Sequence, residues 1–219
     1  MTDRRVKHRA GMVLYGAKGG GSAIIEAQLD IIGKPYERHY LDWGTLHNPE
    51  GILAQVNPMC EIPTLLLPNG TVMTETAAIT LWLGAKYPEN SLVPTQQDSQ
   101  EYGLFLRWLI WLVAGVYPTF TFGDHPGRWL ANADSARELR TATDRRRETL
   151  WQQLETAITP APWLLGERMT ALDLFLAIMT RWRPRRDWFK ENCPKLHSVA
   201  TRVDGLPSLK DTWERNLLS

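Results

Sequence analysis

The sequence predicts an α/β N-terminal domain followed by an all-α helical bundle, and three observations carry that reading. Strand-like and helix-like patterns alternate over the first 90 residues. Beyond them strand signals vanish, and only long runs with apolar residues at helical spacing remain. Between the two textures lies "YPENSLVP", residues 87–94, polar and bounded by prolines, which reads as a linker. The expected organisation is a flexible tail over 1–11, an α/β domain over 12–87, a linker over 88–95 and an α-helical domain over 96–219.

Residues 12–15 read as a short buried strand, 22–32 as a helix stopped by Gly33, and 36–41 as a second strand with alternating polarity. Strand, helix and strand in that order imply a parallel pair joined by a right-handed crossover. Residues 50–56 form a further short helix. Residues 64–67 and 71–73 flank "PNG", a tight-turn signal, and so predict a hairpin. Residues 75–86, "ETAAITLWLGAK", have helical spacing and stop before Pro88. The first domain is therefore βαβ followed by ββα. In the second, helices are expected over 98–117, 135–158 and 171–182, with shorter ones over 186–191 and 195–203.

Composition narrows the function. Lys and Arg number 25 against 24 Asp and Glu, a net charge of +1, which argues against wholesale binding to nucleic acid or an anionic membrane. Cys60 and Cys193 stand far apart and outside any CxxC, and the five histidines include no i,i+4 pair. That pattern predicts neither a disulfide framework nor a metal site, and it fits a reducing cytoplasm. The basic start has no apolar core of the kind a signal peptide needs. Residues 102–120 are the most apolar stretch, but Arg107 and Pro118 interrupt it, so it reads as a buried helix.

Four stretches could carry chemistry. "GAKGGGS", residues 16–22, fits neither GxxxxGK[ST] nor a dinucleotide fingerprint, because Ile24 stands where the third glycine would be. It is either a backbone-lined seat for an anion at a helix start or a plain turn with Ser22 as N-cap. In "CEIPTL", residues 60–65, a cis bond before Pro63 would turn the Ile62 backbone outward to pair with an extended peptide. Otherwise Pro63 simply begins an edge strand. In "MTETAAI", residues 73–79, Glu75 and Thr76 stand at a helix start, as caps or as partners of a ligand's charged ends. Thr170 and Asp173 in "GERMTALDLFLA" have capping-box spacing, a folding signal.

In their order along the chain, "LYG", "GKPYE", "NPMCEIPTL", "TETAAI" and "GERMTALD" resemble the glutathione S-transferase superfamily, over nearly everything from Met12 onward. The resemblance implies a thioredoxin-like N-terminal domain and a helical C-terminal one. It implies that Ile62, before the family's cis-proline at Pro63, pairs main chain to main chain with the cysteinyl part of glutathione. Glu75 and Thr76 would hold the γ-glutamyl end, the ammonium at Glu75 and the carboxylate at the Thr76 hydroxyl. The first helix would begin under the thiol. The position where many relatives keep a catalytic Ser or Cys falls on Gly21, so the donor to the sulfur is the neighbouring Ser22 hydroxyl or backbone amides. Tyr15 is the runner-up donor, although a tyrosine inside the first strand is more often a core residue. At Glu61 relatives often carry Lys, Arg or Gln near the glycyl carboxylate, and His47 would compensate for that charge.

The implied activity is transfer of the glutathione thiolate to a small hydrophobic electrophile, with glutathione as co-substrate and no metal, in a cytoplasmic homodimer of the detoxification type. The electrophile would lie between the domains, against residues such as Trp108, Trp111 and Tyr117. Two rival readings stay open. One is a non-catalytic binding or interaction module of the same fold, and the other a glutathione-dependent lyase or peroxidase.

Overall fold

The computed structural model describes residues 11–216, so the expected tail lies outside the described residues apart from Gly11. The chain divides into two compact units. One takes the chain as far as Asn90 together with the segment from Gly205 onward, and the other is Ser91–Asp204. The segment from Gly205 does not stay with the helical domain, as the reading of 96–219 had it, because its side chains bond to the first helix of the chain.

The first unit runs β1 (Met12–Gly16), α1 (Ser22–Ile32), β2 (Tyr36–Tyr40), α2 (Ile52–Val56), β3 (Thr64–Leu66), β4 (Val72–Met73) and α3 (Thr76–Lys86). The strands form one sheet in the order β2-β1-β3-β4. β1 is buried along its whole length and its residues are apolar up to the closing glycine, as a central strand covered on both faces requires. At the sheet edge β2 is half-exposed and carries Glu37, Arg38 and His39. β1 and β2 are parallel, with Gly16 opposite Tyr40. β3 runs antiparallel to β1, Thr64 opposite Tyr15, and β4 antiparallel to β3, Met73 opposite Leu65. Tyr15 is buried and stacks on His39 with ring centroids 5.0 Å apart, so it is a core residue.

In the second unit α4 (Gln100–Trp111) passes through a π turn, Leu112–Val116, into α5 (Tyr117–Asp124). The expected end at 117 is overrun because Pro118 falls in the first turn of α5, where a missing N–H does least harm. The combined run Gln100–Asp124 is long and apolar enough to cross a membrane. Its buried residues Phe105, Leu109, Leu112, Val116 and Phe120 recur at helical spacing, the stripe of a helix packed in a bundle. α6 (Ala133–Ala157) is mostly polar, capped by Asn132, and buries Arg147, Leu150, Trp151 and Leu154. α7 (Ala171–Met179) is buried on every side and forms the centre of this unit, with α8 (Arg186–Asn192) and α9 (Pro194–Asp204) following. Carboxylates of the same unit take up three of the arginines of 181–186. Arg181 and Arg186 pair with Asp204 at 3.0 and 2.9 Å, and Arg183 with Asp144 at 3.0 Å.

The capping signal at α7 is present. The Asp173 carboxylate accepts the N–H groups of Thr170 and Leu164, each at 2.8 Å. Burial nevertheless pushes its pKa up to about 6, because the desolvation penalty outweighs those bonds. A carboxyl raised above its unfolded value takes up a proton on folding. Its contribution is therefore most favourable in acid, falls as the pH rises through about 4 to 6, and is constant above. The difference in unfolding free energy between wild type and Asp173→Asn is expected to shrink over that window by on the order of 3 kcal/mol. Denaturant titrations at a series of pH values would read it, and a constant difference would reject it.

Candidate active site

Strand register decides which loops share one end of the sheet. Gly16 closes β1 beside Tyr40, the end of β2, while Thr64 begins β3 opposite Tyr15 and Met73 ends β4 opposite Leu65. The glycine turn after β1, the His47 loop after β2, Ile62 and Pro63 before β3, and Glu75 and Thr76 after β4 therefore all leave the sheet at the same end. α1 and α3 both begin there, which directs the positive ends of two helix dipoles to one place.

In the glycine turn two of the missing side chains have a steric reason. A Cβ on Gly16 would stand 2.3 Å from the Ser22 side chain, and one on Gly20 would stand 2.8 Å from the Trp43 ring. Trp43, 58% exposed, lies over the turn and donates its indole N–H to the Lys18 carbonyl at 3.2 Å. Gly20 donates to the Ala17 carbonyl at 3.1 Å. Among the described residues the N–H groups of Gly21 and Ser22 have no acceptor, and Gly21, rather than Ser22, is the N-cap of α1.

Ser22 is 2% exposed, and its hydroxyl is engaged inside the turn. It accepts the Ala17 N–H and donates to the Ala17 carbonyl, both at 3.1 Å. Ser22→Ala leaves the buried Ala17 N–H without a partner and leaves the Ala17 carbonyl with the Gly20 N–H alone, at a cost of about 2 kcal/mol. At this chain length that lowers Tm by about 4–8 °C. Differential scanning calorimetry would check it, and an unchanged Tm would mean that the hydroxyl is free to act elsewhere.

Ile62 and Pro63 are joined by a cis peptide. The chain before them is tied down by Asn57 and Thr64. Asn57 Nδ2 donates to the Glu61 carbonyl at 3.2 Å and the Thr64 hydroxyl donates to the same oxygen at 2.7 Å. Among the described residues neither the N–H nor the C=O of Ile62 has a partner, so an extended backbone could pair there. The Glu61 side chain points to solvent, while Cys60 packs into a small apolar core with Val13, Leu46 and Leu53.

Glu75 is the N-cap of α3 with φ 65° and ψ 112°, a region that L-residues rarely occupy. Its exposed carboxylate makes no capping bond. Thr76 is buried, and the N–H groups of Thr76, Ala77 and Ala78 have no acceptor among the described residues. An exposed acceptor beside three open donors complements a group that carries both an ammonium and a carboxylate. His47 shares this end of the sheet on an exposed loop, with no contact that fixes its ring to the other candidates.

The aromatic residues expected to wall a second substrate belong to the second unit. Trp108 and Phe120 are buried there, Trp111 makes edge contacts with Trp108 and Trp151, and Tyr117 packs against Phe175 and Trp182.

Sequence reasoning missed the support beneath the turn. α10 (Lys210–Asn216) belongs to the first unit and meets α1 through a buried charge cluster. Glu26, 1% exposed, accepts from Arg215 Nε at 2.7 Å, Asn216 Nδ2 at 2.8 Å and the Tyr40 hydroxyl at 2.8 Å, with Arg38 Nε 3.2 Å away. Asp30 accepts from the Tyr36 hydroxyl at 2.8 Å, Arg38 at 2.9 Å and Arg215 at 2.6 Å. Two carboxylates thus face two guanidinium groups. Burial, and then the Glu26 carboxylate, push the Tyr40 phenol up to about 12, and Tyr36 further up still. Burial alone would lower Arg215, but its contacts with Glu26 and Asp30 reverse that and hold it above its ordinary value. No local spacing announces this cluster. Its one sequence signal is a pair of acids at i,i+4 on a helix that is mostly apolar.

Residues 25–86 match the family described as "Glutathione S-transferase, N-terminal domain". An uncharacterized GST-like protein of Escherichia coli (strain K12), YncG, is 37% identical over 207 residues, covering 93% of this chain and 97% of that protein. The glutathione S-transferase GstA of Escherichia coli O157:H7 is 28% identical over 156 residues, covering 71% of this chain and 74% of that one. A solved glutathione transferase homologue from Sulfitobacter, with bound glutathione, superposes with a TM-score of 0.83 over 96% of this chain and 100% of that one, at 19% identity. At that identity the superposition speaks for the fold: a thioredoxin-like domain followed by a helical one.

Proposed function

The chain belongs to the glutathione S-transferase superfamily, and from that premise we propose that it binds glutathione at the shared end of the sheet and adds its thiolate to a small hydrophobic electrophile. The observation that carries this reading is Glu75. A residue held at positive φ, with its carboxylate free of any capping duty beside the open amides of α3, suits the zwitterionic γ-glutamyl end. The cysteinyl backbone pairs with Ile62, and the sulfur lies at the start of α1. A free thiol near pKa 8.5 is mostly protonated at neutral pH and is a weak nucleophile. The Gly21 and Ser22 amides, with the helix dipole behind them, stabilise the thiolate, and the Ser22 hydroxyl serves by shaping the turn. The thiol proton leaves to solvent, the sulfur electron pair forms the new S–C bond, and the leaving group departs with its bonding pair. We assign His47 to the glycyl carboxylate, as a ring N–H donor. On this reading the protein works as a cytoplasmic homodimer, with detoxification of apolar electrophiles as its class of task.

Incubation with glutathione and a generic aryl halide, followed by measurement of the thioether, tests the proposal. Product formation that needs both glutathione and the protein is expected. A second reading, the non-catalytic module, draws on the engaged Ser22 hydroxyl and on the exposed acid at Glu61. Saturable glutathione binding without turnover would establish that reading instead.

A further inference from the structure

The glycine turn is held from three directions, and one holder comes from the far end of the chain. Ser22 grips Ala17 from below, and Trp43 covers Gly20 and takes the Lys18 carbonyl. The third is Asn216 on α10, which is nearly fully buried. Its Nδ2 donates to Glu26 at 2.8 Å and to the Thr212 carbonyl at 3.1 Å. A carboxylate can only accept, so Glu26 fixes which way the amide faces and turns Oδ1 toward the glycine turn. There Oδ1 accepts the Gly19 N–H at 3.3 Å. Gly19 has φ +71°, and a Cβ on it would stand 3.3 Å from the Asn216 backbone carbonyl. The two chain positions are 197 residues apart.

We propose that Asn216 is a positioning residue for the thiol-binding turn: by holding the Gly19 N–H it fixes the conformation in which the Gly21 and Ser22 amides are presented, and it makes the C-terminal helix part of the site. A run of three glycines has more conformational freedom than any other tripeptide, so the donors at its end are preorganised only as far as something outside the run restrains it. The asparagine does this with an amide whose orientation is set by a carboxylate, itself held by Arg38 and Arg215. The link to the thiol rests on the functional reading above. The restraint on the turn does not.

Hydrogen exchange on the full-length chain tests the restraint without any ligand. Asn216→Leu removes the acceptor at Gly19. Thr212→Val loosens the same helix by deleting its hydroxyl bond to Asp30, 2.5 Å, without touching the turn. Exchange at Gly19 and Gly20 is expected to be on the order of tenfold faster in Asn216→Leu than in Thr212→Val. Equal exchange in the two variants would overturn the proposal. With glutathione bound, the ultraviolet thiolate band should titrate at higher pH in Asn216→Leu and at the wild-type value in Thr212→Val. A thiol that titrates alike in all three proteins would overturn the positioning role. Faster exchange in a chain whose wild type takes up no glutathione would uphold the restraint and reject the functional reading alone.

Discussion

Glu26→Ala is expected to destabilise the chain by about 3 kcal/mol, the lower end of what removing one partner from a buried ion cluster costs. At this length that is a fall in Tm of about 6–12 °C. The effect is large because Glu26 is the acceptor common to Arg215, Asn216, Tyr40 and Arg38. Without it the two guanidinium groups share the single carboxylate of Asp30, and the buried Asn216 amide keeps only the Thr212 carbonyl. It stays at the lower end because Arg38 and Arg215 are about a third exposed and can turn to water. Glu26→Gln keeps the shape and loses the charge, so its loss should be smaller and of the same sign. Thermal unfolding followed by circular dichroism would read both, and a Glu26→Ala chain as stable as wild type would show that α10 is not docked through this residue.

Glu75→Ala is expected to weaken glutathione binding by about tenfold to a hundredfold, the value of a charge-assisted bond from an ammonium to a carboxylate. Because the position holds φ 65°, Glu75→Gly offers a second test that moves stability the other way. Glycine occupies positive φ without steric cost, so this variant should match or exceed wild type in Tm while sharing the loss of affinity. Calorimetric titration of both variants would measure it. Wild-type affinity in either would remove Glu75 from the γ-glutamyl subsite, and lowered stability in both would mean that the carboxylate has a structural duty after all.

Local signals read well from the sequence. The 22–32 helix and its stop at Gly33, the hairpin around "PNG" and the capping pair Thr170 and Asp173 all rest on residues a few positions apart, and each is found where those residues place it. The arrangement of Ile62, Glu75 and the glycine turn at one end of the sheet also follows from the order of elements once β1 and β3 run antiparallel. What escaped depends on distance along the chain or on where a small group turns. Glu26 and Asp30 look like ordinary polar positions of a helix until Arg215, 189 and 185 residues on, is folded against them. The Ser22 hydroxyl could have capped α1 or faced a ligand. It bends back to Ala17 because Gly16, with no Cβ, leaves it the room. Trp43 sits in a loop whose path sequence spacing does not define, and only the fold sets its ring on Gly20.

On the proposed reading, the open backbone of Ile62, the Glu75 carboxylate and the amides beginning α1 together form a seat for one tripeptide thiol. Isothermal titration of the wild-type chain with reduced glutathione tests it most directly. Saturable binding of one tripeptide per chain, weakened in Glu75→Ala and retained by the S-methyl derivative, which keeps both ends of the molecule, is the expected result. Absence of saturable heat up to millimolar glutathione, from a chain whose unfolding transition is intact, would contradict it.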